Sequence, residues 1–205
     1  MLHAVELPAQ NDHSPNVFVM KLLQAATHQM QDLLREVAPL AAGVALQEVV
    51  QVALRRTALW EEMAQQPPDL VVLGESGRPG STPDWLIHKA PCPVLVVRHP
   101  LGPDPVRVVV FPTNFSVLAS RAGSVLRQLQ AFFPAAMLYV LHVGAVGDNS
   151  ETLRHQLAIL TQQQGLTGSE LAVITAPSLR VGIAQFTQQV RSDMLVLRVG
   201  SAGLN

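Results

Sequence analysis

Residues Asp69–Arg98 read DLVVLGESGRPGSTPDWLIHKAPCPVLVVR. Two short apolar runs, Leu70–Leu73 and Pro93–Val97, flank a small polar loop, Gly74-Glu75-Ser76-Gly77-Arg78-Pro79-Gly80-Ser81. Valine-rich runs of this length, bounded by turn residues, predict buried parallel strands. A short helix around Trp85–Lys89 connects them. A glycine loop at the carboxyl end of such a strand is where open α/β sheets bind ligands, phosphates among them.

Working outward, strands and helices alternate on both sides. Met1–Leu7 predicts a strand, and Asn16–Val37 carries Phe18, Leu22, Ala26, Met30 and Leu34 at helical spacing up to Pro39. Val44–Val52 is strand-forming, and Leu54–Gln65 is a helix stopped by Pro67-Pro68. His99–Pro105, HPLGPDP, has the composition of a linker. The pattern then restarts. Strands are expected at Val106–Phe111, Met137–Val143, Leu171–Thr175 and Met194–Val199, with helices at Val117–Phe133, Asn149–Gln164 and Leu179–Ser192. Residues 1–98 and 106–205 therefore read as two related domains joined by a linker at 99–105. MLHAVELP matches MLYVLHVG, and DLVVLGESG matches DMLVLRVGS, each second strand led by an aspartate. Alternating strands and helices imply parallel α/β layers with helices on both faces.

Of the 205 residues, 48% are hydrophobic and only 14% charged. Globular domains average about a quarter charged residues. Two readings account for the deficit: a face covered by a partner, or glutamines such as Gln162, Gln163 and Gln164 standing in for charge. A formal net charge of −1 and the lack of a basic block give no footprint for nucleic acid. One cysteine, Cys92, cannot form an internal disulfide and fits a reducing compartment, with a buried structural thiol expected. The seven histidines show no metal-ligand spacing. No nucleophile-elbow pattern supports a hydrolase.

Ala90-Pro91-Cys92-Pro93-Val94-Leu95-Val96-Val97, together with the preceding glycine loop, resembles the universal stress protein family. In that family the fourth strand ends in G-x2-G-x9-G-[ST], and a final strand follows a phrase close to APCPVLVV. The resemblance implies tandem, open, parallel, Rossmann-like sheets. It places residues 1–98 as strands two to five of one copy and residues 106–205 as strands one to four of a second. The first copy then lacks its central strand, which leaves two inner edges unpaired. Three completions are open: an excised longer polypeptide, a strand swapped from another subunit, or partial copies that complete each other.

The resemblance also implies a ligand, ATP or AMP, and the residues that would hold it. Gly74 and Gly77 occupy the first two motif glycines, with Ser76 between them and Arg78 adding charge. The downstream Gly-Ser pair is missing at its expected place, where Ile87 and His88 stand, and Gly80-Ser81 offers such a pair earlier. The loop thus reads either as a plain strand-to-helix turn or as half of a phosphate cradle. In the second half, Pro112, Thr113 and Asn114 stand at the family's V-P-x-D-x-S turn, with Asn114 in place of the aspartate. Asn114 or Ser116 equally suits a helix N-cap. His142-Val143 would flank the adenine, and Arg198 replaces the glycine of the second loop.

The function expected on these grounds is a cytoplasmic regulatory or ligand-binding module with a degenerate adenine-nucleotide site, and not an enzyme. The resemblance implies a homodimer through the Pro93–Val97 strand. An alternative is the cytoplasmic regulatory tail of a membrane ion or solute transporter.

Overall fold

The computed structural model describes residues 1–6, 15–41, 43–74, 81–98, 106–115 and 119–198. The chain divides into two compact units, Met1–Arg98 and His99–Asn205. Each is an α/β arrangement with parallel strands, as the alternation of runs predicts.

In the second unit, β5 (Val108–Pro112), α4 (Ala119–Phe132), β6 (Met137–Gly144), α5 (Ser150–Gln164), β7 (Glu170–Thr175), α6 (Leu179–Gln189) and β8 (Met194–Leu195) follow in order. The strands form one parallel sheet, β7-β6-β5-β8. β5 lies inside it and is buried on both faces, which is why its sequence is apolar at successive positions and does not alternate. Val109 and Phe111 pack on one face with Leu126 of α4, Leu138, Val140 and Leu157 of α5. Val110 packs on the other with Leu141 and Phe186 of α6.

Local chemistry sets the helix ends. The Asn149 side chain accepts the N–H groups of Glu151 and Thr152, each at 3.0 Å, and so starts α5. Gly165 ends it in the left-handed conformation at φ 64°, where a residue without Cβ is unstrained. At the start of β5, Asp193 Oδ2 accepts the N–H groups of Arg107 at 2.8 Å and Val108 at 2.9 Å. The aspartate that leads β8 is therefore a clamp on the central strand.

The first unit contains β1 (Leu2–Val5), α1 (Pro15–Val37), β2 (Val49–Val52), α2 (Arg55–Gln65), β3 (Val71–Gly74), α3 (Thr82–Lys89) and β4 (Val94–Val97). Its strands form two separate parallel pairs, β1-β2 and β3-β4, with no strand pairing between them among the described residues. The halves meet through helices: the indoles of Trp60 on α2 and Trp85 on α3 pack edge-to-face at 6.2 Å, and the Arg56 guanidinium lies 5.9 Å from the Trp85 ring.

Backbone direction shows which edges these pairs leave unused. Val49 N–H donates to Met1 C=O, so Met1, His3 and Val5 address β2, and Leu2 and Ala4 face the opposite edge. Val71 N–H donates to Pro93 C=O, so Val72 and Gly74 face away from β4.

Hydrogen bonding corrects three expectations. In β6, Leu141 C=O accepts Thr113 N–H from β5, and Gly144 C=O accepts Ala176 N–H beyond β7. Leu138 thus addresses β7, whereas Leu2 faces away from β2, so the match of MLHAVELP to MLYVLHVG sets together residues that serve opposite edges. Edges agree when LHAV of β1 is set against LHVG of β6. The last strand, β8, spans only Met194–Leu195, shorter than the expected Met194–Val199, with Val196 N–H still donating to Val110 C=O beyond it. Cys92 is half-buried and not fully enclosed.

Candidate functional site

In parallel α/β sheets the carboxyl ends of the strands carry the binding loops. Two such ends hold the residues singled out from the sequence, one in each unit.

In the first unit, Gly74 closes β3. A Cβ built there would meet no atom of the described residues within 4 Å. Ser76, Gly77, Arg78 and Gly80 lie outside the described residues. Ser81 is the N-cap of α3: its Oγ accepts Asp84 N–H at 3.5 Å, and its carbonyl accepts Trp85 N–H at 3.0 Å and an Arg56 guanidinium N–H at 3.5 Å. Pro83, early in the first turn, and Asp84 both suit a helix start. The helix begins at Thr82, ahead of the Trp85 start read from the pattern. Ile87 and His88 consequently sit near the end of α3, and Ser81 occupies the loop-to-helix junction.

In the second unit, Pro112 ends β5 and Thr113 follows it. Thr113 is buried, and its N–H donates to Leu141 C=O at 2.8 Å. Thr113 Oγ1 accepts Phe115 N–H at 3.2 Å. His142 Nδ1 lies 2.9 Å from Thr113 C=O. A carbonyl only accepts, so Nδ1 carries the proton in this contact. Asn114 is exposed at the turn, and Ser116 lies outside the described residues.

Phe115 and His142 were not paired by sequence reasoning. Their rings stack with centroids 4.4 Å apart and planes inclined by 30°. Phe115 has φ 60°, a conformation costly for a bulky residue by about 1 kcal/mol. An aromatic stack contributes about 0.5–1.5 kcal/mol, enough to offset it. No sequence signal marks a phenylalanine as left-handed, because the stack that holds it forms only through space. The stack joins the turn after β5 to β6, with Phe115 also packed against the core.

Val143 packs under α6. A Cβ on Gly182 of α6 would lie 2.5 Å from Val143 Cγ1 and 3.1 Å from the Ala176 Cβ. Val143 therefore seats α6 against β6. Among the described residues, no group of three or more His, Cys, Asp or Glu side chains could hold a metal ion.

Parallel strands alternating with helices give each unit an α/β fold of the Rossmann-like class. Residues 2–98 match the model of the universal stress protein family. The fold of nearly the whole chain is that of a universal stress protein from Archaeoglobus fulgidus DSM 4304, with TM-score 0.66 and 17% identity over 94% of this chain and 71% of that one. It is likewise similar to a functionally unknown protein from Pseudomonas aeruginosa PAO1, with TM-score 0.62 and 19% identity over 98% of this chain and 73% of that one. No curated relative matches the sequence at a significant level.

Proposed function

We propose that the chain is a tandem universal stress protein-like module that binds a ligand in order to regulate, with a degenerate adenine-nucleotide site, and that it is not a dedicated enzyme. The observation that carries this reading is the β3–α3 junction. Gly74 closes the strand, and Ser81 stands at the helix start, so Gly80-Ser81 takes the place of the family's downstream Gly-Ser pair in a shortened loop. Backbone N–H groups at such a junction suit phosphate oxygens. The second unit argues for degeneracy: Arg198 follows β8 where the motif has glycine, and Asn114 replaces the acidic residue of the turn.

Isothermal calorimetry with ATP, ADP and AMP tests the reading. Binding of one of them, lost in Gly77→Asp, is the expected result. Absence of heat with all three overturns the adenine-nucleotide assignment. Steady phosphate release from ATP would overturn the non-enzymatic one.

A cytoplasmic setting and a homodimer through β4 belong to the same reading. Support for the dimer comes from the outer edge of β4, which no described strand pairs. The transporter-tail alternative rests on the low charge and the unpaired inner edges of the first unit. No helix among the described residues is long and apolar enough to cross a membrane.

A further inference from the structure

The two units differ in one respect that can be traced atom by atom. In the second, three contacts hold β5 between its neighbours. The Asp193 carboxylate accepts the N–H groups of Arg107 and Val108. Val196 N–H donates to Val110 C=O at 2.9 Å. Leu141 C=O accepts Thr113 N–H at 2.8 Å.

Each of these groups has a counterpart in the first unit. Asp69 leads β3 as Asp193 leads β8, so Val72 corresponds to Val196, and Leu2 corresponds to Leu141. Asp69 is exposed, and its carboxylate has no hydrogen-bond partner among the described residues. The backbone groups of Val72 and Leu2 point to edges that no described strand pairs. Side chains facing the same way agree with backbone: Leu70 and Val72 are 50% and 55% exposed, whereas their counterparts on β8, Met194 and Val196, are half-buried. Parallel strands are ordinarily covered on both faces, and unpaired inner edges template strand addition.

We propose that the first unit binds a strand–helix segment from outside these 205 residues, seated as a parallel strand between β1 and β3 with its first N–H groups on the Asp69 carboxylate. The chemistry of the occupant follows from β5–α4: a short β-branched strand apolar on both faces, then an amphipathic helix to cover the sheet. The chain's own segment of this kind is engaged on both edges, by β6 and β8. The proposal rests on the two units being copies of one fold and involves no nucleotide, so it stands or falls independently of the calorimetry.

The probe is a synthetic peptide of residues 105–133, added to the full chain and followed by amide hydrogen exchange. Expected is binding that slows exchange at Val72 and Ala4 at least tenfold and leaves Val71, already bonded to Pro93, unchanged. Asp69→Asn and Val72→Pro should each weaken binding at least tenfold. Val72→Pro removes only an N–H directed at the gap, so circular dichroism and melting temperature of the free chain should change little. Val71→Pro, which breaks β3–β4, is the contrasting variant. Three results would overturn the proposal: no binding to the folded chain, binding indifferent to both variants, or protection of Val72 that rises with protein concentration without peptide, which makes a second copy the occupant.

Discussion

Cys92 and Gly182 show how single residues are governed by what surrounds them. Burial raises the Cys92 thiol above its ordinary value of 9.0, and the nearby Asp69 carboxylate adds to the rise against a hydrogen bond from the Val71 backbone. The folded chain therefore favours the protonated thiol. Its contribution to stability is constant below pH 9 and turns unfavourable as pH climbs through the unfolded value. Alkylation by iodoacetamide at pH 8 should be slower in the native chain than after denaturation, since only the thiolate reacts. At Gly182, an alanine Cβ would press on Val143, whose β-branched side chain is stiff about χ1. Gly182→Ala should cost about 1–3 kcal/mol, read as a lowered melting temperature. Adding Val143→Ala should return part of it. A full loss in the double variant would place the strain elsewhere.

Elements are held by their ends as much as by their faces. Helix α5 has a side-chain cap at Asn149 and a left-handed glycine at Gly165. Asn149→Ala should destabilise by about 1 kcal/mol, because two N–H groups lose their acceptor. Gly165→Ala should cost roughly 1–2 kcal/mol through φ alone, since the nearest atom to its new methyl, Arg127 Cδ, lies at an ordinary 3.7 Å. Denaturant melts of both variants check these values, and a neutral Gly165→Ala would contradict the left-handed cap. Both caps were legible in advance, because Asn149 precedes and Gly165 follows a run of helical periodicity. Strand boundaries were less so. Val44–Leu46 shares the β-branched and apolar character of Val49–Val52 but pairs with nothing among the described residues, as pairing depends on a neighbour far along the chain.

For the molecule as a whole, the outer edge of β4 is the test of assembly. Pro93 C=O faces β3, so Val94 and Val96 direct their backbone groups outward. Val96→Pro should convert the proposed dimer to a monomer in light scattering without breaking β3–β4. A wild-type chain that is monomeric at high concentration would remove the dimer from the functional reading.

Sequence by itself determined the α/β class, the order of strands and helices, the glycine strand end at Gly74 and the family resemblance of residues 2–98, since periodicity and turn chemistry are local. Tertiary structure alone decided which edge each strand uses, the packing of Val143 under α6, the Phe115–His142 stack and the role of Asp193 as clamp on β5. Each of these depends on which backbone edge or side-chain face meets a partner distant in sequence, and such meetings leave no trace in local pattern. The role proposed for the Asp69 carboxylate acquires its meaning only beside its engaged counterpart, Asp193.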